Sequence, residues 1–190
     1  MRKIIVSNMV SLDGFISGPA GELDWFVWDK DLERYTSEMM GSVDTILFGR
    51  VTYEMMADYW PTDTVNDPYI KESMNSLPKI VFSRTLEKVG WNNSKLVAEI
   101  DPERISRMKR MAGKNILVLG SGSIVSALTG LGLVDEFRLI VNPVILGGGK
   151  PMFKGLRQRQ SQKLRLIDTR QLESGVAILS YQALGDQTER

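Results

Sequence analysis

The chain has 190 residues, with 24 Lys and Arg against 23 Asp and Glu, and it contains neither Cys nor His. This length favours a single domain, and the net charge of +1 argues against a nucleic-acid-binding or membrane-surface protein. Without Cys or His, disulfide frameworks, thiolate nucleophiles and serine–histidine sites are excluded, and no metal site is expected. No apolar run approaches the ~20 residues of a membrane span, so we expect a cytoplasmic protein. Proton transfer is left to Asp, Glu, Lys and Tyr, which favours chemistry carried by a cofactor or a carboxylate.

Hydrophobic periodicity and capping residues predict strands and helices that alternate along the first two thirds of the chain. The predicted strands cover residues 3–10, 44–49, 78–83, 95–99, 115–120 and 134–146, with a loop at 17–26. The predicted helices cover residues 29–42, 51–60, 67–76, 101–113 and 121–133. This alternation predicts an α/β fold with a mostly parallel central sheet and flanking helices.

The C-terminal part of the chain has a different pattern. Residues 164–184 read as two strands joined by a polar turn near 173–175, which predicts an antiparallel edge of the sheet. We expect one domain over residues 1–184 and a frayed, disordered tail over 185–190.

The segment NILVLGSGSIV (115–125) joins a predicted buried strand to a helix. Its small residues let a ligand approach the backbone, and the first helical turn offers unpaired amides and the positive end of the helix dipole. The segment is therefore a candidate pyrophosphate site; a tight turn that needs glycine for its backbone alone is the alternative. As a Rossmann fingerprint it is imperfect, because Val125 stands at the place of the third glycine. Asp135 and Glu136 also come too early to be the ribose-binding acid of a Rossmann dehydrogenase.

Two further predicted strands end in segments that carry an arginine and a hydroxyl group. GRVTYE (49–54) contains Arg50 and Thr52, and FSRT (82–85) contains Ser83 and Arg84. An arginine presents a planar fork to a phosphate, although each arginine alone is equally compatible with a solvated surface charge. Because the carboxyl ends of parallel strands share one edge of a sheet, we expect the segments to meet there. Two arginines and one glycine-rich helix start suit a dinucleotide with an additional phosphate, which predicts NADP(H).

The order of GRVTYE, VFSRT and ILVLGSGSIV resembles the dihydrofolate reductase fold. The stretches IIVSNMVSLDGFIS, GELDW and SALTGLGLVDEFRLIVNPVILGGGKPMF are more similar to the C-terminal reductase domain of the bifunctional riboflavin-biosynthesis deaminase-reductase. The resemblance implies a dihydrofolate-reductase-like fold and an NADPH-dependent reductase similar to 5-amino-6-(5-phosphoribosylamino)uracil reductase. It also implies a small heterocyclic substrate, pyrimidine or pterin-like, and a homodimer formed through the region that contains GGGKPMF.

The resemblance assigns roles to individual residues. Those expected to hold the cofactor are Met9, Gly49, Arg50, Thr52, Ser83, Arg84, Gly120, Ser121, Gly122, Ser123, Ile124 and Val125. Asp13 and Trp25 are expected to face the substrate. Asp31 and Glu33 are the candidate catalytic acids, and a helix-start charge that favours the dipole is the alternative for Asp31. The chain departs from the riboflavin-pathway pattern in having no glutamate before the glycine-rich turn and no clear set of cations for a ribosyl phosphate.

These departures support an alternative function, a non-catalytic NADP-binding or redox-sensing module. Other features also have two interpretations. Trp25, Phe26 and Trp28 would either stack on a flat substrate or cap the core. The ten Met residues are expected to fill the core rather than to mark a cofactor site.

Overall fold

The computed structural model describes residues 1–62, 67–156 and 162–185. Residues 186–190 of the predicted tail lie outside the described residues. Every helix in the described ranges is too short or too polar to cross a membrane.

The strands in the described ranges are β1 (Ile4–Ser11), β2 (Phe15–Ser17), β3 (Val43–Gly49), β4 (Lys79–Phe82), β5 (Ser94–Val97), β6 (Asn115–Leu119), β7 (Glu136–Asn142), β8 (Lys150–Pro151), β9 (Leu164–Gln171) and β10 (Ala177–Ala183). Eight of them form one sheet in the order β5-β4-β3-β6-β1-β7-β10-β9. The six strands from β5 to β7 in this order pair in parallel, and β10 pairs antiparallel with both β7 and β9. The predicted parallel sheet with an antiparallel C-terminal edge is confirmed.

Five helices lie in the described part of the chain: α1 (Lys30–Gly41), α2 (Arg50–Tyr59), α3 (Pro68–Ser76), α4 (Pro102–Arg110) and α5 (Gly122–Gly130). Three of them begin at an aspartate that accepts a hydrogen bond from an amide of the first turn: Asp29 for α1, Asp67 for α3 and Asp101 for α4. Such caps satisfy amides that have no acceptor within the helix. The helix starts are thus encoded locally.

Two layers of apolar side chains cover the sheet. On one face, Ile5, Phe48 and Leu117 pack with Met39 of α1 and Met74 of α3. The opposite face packs against α4 and α5 through another cluster, which contains Val6, Val118, Ile105, Val125 and Leu128. Both faces of the central strands are buried, as expected for a parallel sheet between helices.

Some local expectations differ from the structure. The loop predicted to begin at residue 17 begins one residue later, because Phe15–Ser17 (β2) pairs with Lys150–Pro151 (β8) in a small antiparallel sheet. Helix α5, predicted to reach residue 133, ends at Gly130. The strand predicted over 134–146 ends at Asn142, because Pro143 has no amide to continue the ladder. Helix α4 ends at Arg110, and its capping residue Met111 has an extended backbone, so the helix does not reach Gly113.

Candidate functional site

A cavity of about 750 Å³ opens at the carboxyl ends of β1, β3, β4 and β6. Nine of the residues assigned to the cofactor lie in its wall, namely Met9, Gly49, Arg50, Thr52, Ser83, Gly120, Ser121, Gly122 and Ser123. The chain brings them together because parallel strands end at the same edge, where the next helix begins. The expected convergence of three strand ends is therefore present.

The glycine-rich turn after β6 is held by hydrogen bonds to two neighbouring elements. Asn8 of β1 accepts from the Gly120 amide at 2.6 Å, and Thr52 of α2 accepts from the Ser121 amide at 2.9 Å. The Ser121 hydroxyl donates to Thr52 Oγ1 at 2.9 Å and accepts from the Gly49 amide at 2.7 Å. Ser121 has a left-handed backbone (φ 54°), a conformation that non-glycine residues adopt only where surrounding contacts enforce it. These four bonds supply that enforcement.

Gly120 leaves no room for a side chain, and Gly122 leaves little. Gly120 has φ 57°, and a Cβ there would lie 2.7 Å from both Thr52 Oγ1 and Cγ2. A Cβ at Gly122 would approach the carbonyl oxygens of Pro151 and Met152 at 3.2 and 3.3 Å. Gly122 and Ser123 open α5, so their amides have no acceptor within the helix. The turn therefore presents backbone donors and a helix dipole to the cavity, a combination suited to phosphate.

The ionisable side chains in the described part of the cavity wall are all cations: Arg50, Lys150 and Lys154. Arg50 is half-exposed and pairs with Glu54 one turn later in α2, at 2.9 Å. Arg84, the other predicted arginine, faces an adjoining cavity that shares Ser83 and Ser123 with the first. Its guanidinium lies 3.2 Å from the carboxylate of Glu99. The structure thus separates the two arginines, and only Arg50 lines the main cavity.

Ile124 and Val125, also assigned to the cofactor, do not line the main cavity. Val125 is fully buried in the core, and Ile124 faces the adjoining cavity. Their side chains pack α5 against the sheet, so any contribution to cofactor binding comes through the position of the helix.

Apolar side chains form the other part of the wall. Six methionines contribute, namely Met9, Met39, Met40, Met55, Met56 and Met74, together with Leu23, Phe26, Trp28 and Trp60. The expectation that methionines fill the core is correct for Met39, Met40 and Met74, which are buried, but these three also face the cavity. Of the aromatic cluster, Phe26 and Trp28 reach the cavity wall.

Asp13 and Trp25, the residues predicted to face the substrate, lie outside the cavity wall. The Asp13 carboxylate accepts from the amides of Leu146 and Gly147 at 3.2 and 2.8 Å. A hydrogen bond with the Ser11 hydroxyl, together with these amides, lowers the pKa of Asp13. Trp25 packs edge-on against Phe26 and donates to the Glu22 carbonyl. Both residues shape the segments beside β2 and β8, and their assignment to the substrate stays a prediction.

Asp31 and Glu33, the candidate acids, are in the first turn of α1 and do not line the cavity in the part of the chain that the structure describes. Asp31 pairs with Arg34 at 3.3 Å on the surface. A hydrogen bond with the Asp67 carboxyl group, reinforced by desolvation, raises the pKa of Glu33. The position of Asp31 matches its alternative interpretation, a helix-start charge that favours the dipole. The catalytic role of both residues stays a prediction.

Several residues of the cavity were not identified from the sequence. Asn8 lies within an apolar strand, and its contact with Gly120 spans 112 residues. Lys150 and Lys154 follow the GGG segment and reach the cavity only because β8 pairs with β2. No local pattern indicates these contacts, since each depends on how distant segments pack.

Comparison with known proteins places the chain in a family. A family model described as the RibD C-terminal domain matches residues 2–178. The chain is 36% identical over 182 residues to the uncharacterized protein YyaP of Bacillus subtilis (strain 168), covering 95% of this chain and 94% of YyaP. It is 29% identical over 178 residues to YwjB of the same organism, covering 93% and 96% of the two chains.

Solved structures are similar along nearly the whole chain. A Shewanella sp. PV-4 protein with a proposed role in riboflavin biosynthesis superimposes with a TM-score of 0.78 at 25% identity, covering 96% of this chain and 99% of that protein. The Thermotoga maritima diaminohydroxyphosphoribosylaminopyrimidine deaminase/5-amino-6-(5-phosphoribosylamino)uracil reductase superimposes with a TM-score of 0.69 at 16% identity. That match covers 96% of this chain and 57% of the bifunctional protein, and it shows the shared fold. The chain belongs to the RibD C-terminal domain family.

Proposed function

We propose that the protein is an NADPH-dependent reductase that transfers hydride to a small planar heterocycle, pyrimidine or pterin-like. The observation that carries the proposal is the convergence of three strand ends and the start of α5 on one cavity. We further propose that residues 1–184 act as a single reductase domain.

The residues of the cavity fit a dinucleotide. The Gly120 and Ser121 amides are bonded to Asn8 and Thr52, and the Gly122 and Ser123 amides at the start of α5 have no acceptor within the helix. The latter two amides and the helix dipole suit the pyrophosphate. Arg50 would exchange its exposed partner Glu54 for the additional phosphate of NADPH, a bidentate acceptor of higher charge. Met9 also lines the cavity, and we assign it to the nicotinamide end of the cofactor.

The bound cofactor supplies the hydride, so the protein has to position the acceptor and exclude water. The apolar part of the wall performs the second task, because methionine, leucine and aromatic side chains make it unfavourable for water to remain there. The Asn8 and Thr52 hydrogen bonds contribute to positioning, because they hold the glycine-rich turn, and with it the cofactor, in place before any ligand arrives.

Cofactor titrations test the phosphate assignment. In wild type we expect NADPH to bind more tightly than NADH, and Arg50→Ala to weaken NADPH by about tenfold or more with little effect on NADH, because a charge-assisted phosphate contact is lost. Arg84→Ala decides whether the second arginine contributes from the adjoining cavity, and Arg34→Ala, on the surface of α1, serves as the control. Equal affinity of wild type for the two cofactors would contradict the proposal.

The assembly and location follow from the family resemblance. We propose a cytoplasmic homodimer that uses the segment around GGGKPMF, residues 147–153. Exposed apolar side chains in and near this segment, Ile145 and Phe153, support the proposal. Light scattering at micromolar concentration should give twice the monomer mass of 21.4 kDa, and a monomer would contradict it.

The non-catalytic NADP-binding module remains the second candidate, and the surface position of Asp31 and Glu33 favours it. Turnover separates the two functions. NADPH oxidation with dihydrofolate or with the ribosylaminouracil intermediate would support the reductase, whereas tight NADPH binding without oxidation by any pterin or pyrimidine would support the module.

A further inference from the structure

Ser7 of β1 is a buried hydroxyl in the wall of the cavity. Ser7 is 3% exposed, and its Oγ has no hydrogen-bond partner among the described residues. Leaving a buried hydroxyl unpaired is unfavourable, so such a group commonly marks the place of a ligand or a bound water. Ser17, the other buried serine of β1–β2 in this wall, already contacts the Gly18 carbonyl at 3.4 Å.

The direction of Ser7 follows from the alternation of side chains along β1. Ile5 packs in the cluster that contains Met39 and Met40, and Met9 packs against the cluster of α1 residues Leu32 and Tyr35. Residues two apart in a strand share a face, so Ser7 lies between Ile5 and Met9 on the face covered by α1. Its hydroxyl is therefore a polar group at the base of the methionine-lined part of the cavity.

The surroundings favour a flat and largely apolar ring. Methionine side chains are flexible and polarizable and adapt to aromatic rings, and Met39, Met40 and Met74 all line this part. Trp28 also lines the cavity while remaining 51% exposed, which leaves an indole available for stacking. Because the ionisable groups in the described wall are Arg50, Lys150 and Lys154, a ring that carries a protonated amidine would meet charges of its own sign, whereas a ring carbonyl would not.

We propose that Ser7 is a substrate-orienting residue, and that the methionine-lined part of the cavity takes a planar, largely apolar ring whose carbonyl oxygen accepts a hydrogen bond from the Ser7 hydroxyl. This inference rests on the proposed function, since it assigns the substrate class of the same site. Pyrimidines and pterins of the proposed substrate class also carry a ring carbonyl, and that edge is the feature that Ser7 would recognise.

Calorimetric titrations in the presence of saturating NADP⁺ test the inference without turnover. The probes are 2-methyl-1,4-naphthoquinone, which has a carbonyl edge, and 2-naphthamidine, a bicyclic ring of similar size that has no carbonyl and whose amidine is protonated at neutral pH. We expect the naphthoquinone to bind more tightly. Ser7→Ala should weaken its binding by about fivefold, the effect of one neutral hydrogen bond, and leave the affinity for NADP⁺ unchanged.

Two matched controls accompany these variants. Ser17→Ala removes a lining hydroxyl that already has a partner, and it should leave naphthoquinone binding unchanged. Trp28→Ala should weaken the naphthoquinone by about threefold to tenfold through lost stacking, whereas Tyr69→Ala, at a residue of equal exposure outside the cavity wall, should not. Thermal unfolding of ligand-free Ser7→Ala should occur at or above the wild-type temperature, because the variant lacks an unpaired buried hydroxyl.

Three results would overturn the inference. They are naphthamidine binding at least as tight as naphthoquinone binding, a Ser7→Ala effect on NADP⁺ instead of on the ring, and binding of NADP⁺ without any binding of the naphthoquinone. The last result would leave the proposed function intact, whereas failure of wild type to bind either NADP⁺ or NADPH would contradict the proposed function itself.

Discussion

The two ends of the parallel sheet are built differently. At the amino ends of the strands, side chains close the structure. Arg2 pairs with Asp44, donates to Thr45 Oγ1 at 2.9 Å and donates to the Lys114 carbonyl at 2.6 Å. Asp135, before β7, pairs with Lys109 at 2.7 Å and accepts from the Ile4 amide at 2.8 Å. The polar backbone groups and charged side chains named here therefore bind each other at this end of the sheet.

At the carboxyl ends, glycine and serine residues line a cavity, and the ion pairs there, Arg50 with Glu54 and Arg84 with Glu99, are exposed. The hydrogen bonds there, from Asn8 and Thr52, hold the turn in place and leave the first amides of α5 facing the cavity. The amino end of the sheet therefore maintains the fold, and the carboxyl end is available to bind a ligand, because the helices that follow parallel strands begin at the carboxyl ends. Mutations at the two ends should therefore separate stability from binding.

The largest effect on stability is expected from Asp44→Ala at the amino end. It leaves the buried Arg2 guanidinium without its carboxylate and the Lys114 amide without its acceptor, which should lower the free energy of unfolding by about 3 kcal/mol. Chemical denaturation measures this loss. Glu99→Ala, which breaks the exposed pair with Arg84, should change stability by less than about 1 kcal/mol. An unchanged NADPH affinity in Asp44→Ala would support the division between a stabilising amino end and a binding carboxyl end. A large loss of affinity would contradict it.

A smaller effect on stability, with a large one on binding, is expected from Gly120→Ala at the carboxyl end. The new Cβ would meet Thr52 at 2.7 Å in a left-handed conformation, so we expect about 2 kcal/mol of destabilisation and at least tenfold weaker NADPH binding. Gly132→Ala is the control, because its φ of 65° is similar and a Cβ there meets nothing within 4 Å. It should lose only about 1 kcal/mol. Equal NADPH affinity in the two variants would show that the turn does not hold the cofactor.

The smallest effect concerns Lys79, at the amino end of β4. Its ammonium is buried and donates to the carbonyls of Asn75, Leu77 and Asn92, and desolvation lowers its pKa to about 8. Since the folded protein then releases this proton before the unfolded chain does, stability should rise with pH above about 8, by about 1 kcal/mol over the first pH unit. Denaturation curves of wild type and Lys79→Met would show it, because the variant should lack the rise. An identical pH profile in both proteins would exclude the assignment.

The sequence was sufficient for features that depend on neighbouring residues. Asp29 and Asp101 mark helix starts because their side chains reach amides two or three residues away. The strands of the parallel sheet were recognisable because burial on both faces requires continuous apolar runs. The carboxyl-end segments at Arg50, Ser83 and Gly120 followed from the same topology.

The sequence was insufficient to predict which side chains reach the cavity where a segment was compatible with two roles. Arg50 and Arg84 stand in similar segments, yet Arg84 turns to Glu99 in an adjoining cavity. Asp31 and Glu33 fit the place of an acid near the first helix, but the rotation of α1 directs Met39 and Met40 into the cavity wall instead. The sequence pattern predicts where the helices and strands lie, but the packing of α1 determines which of its side chains reach the cavity.

By itself, the sequence determined the order of elements, the parallel sheet with its antiparallel edge, and the glycine-rich helix start, because local hydrogen bonding and periodic burial encode each of them. Only the tertiary structure decided which side chains share the cavity. The contacts of Asn8 with Gly120 and of Thr52 with Ser121, and the pairing of β2 with β8, join residues far apart in the chain. Such contacts form only when the whole sheet is assembled, so no short segment can indicate them.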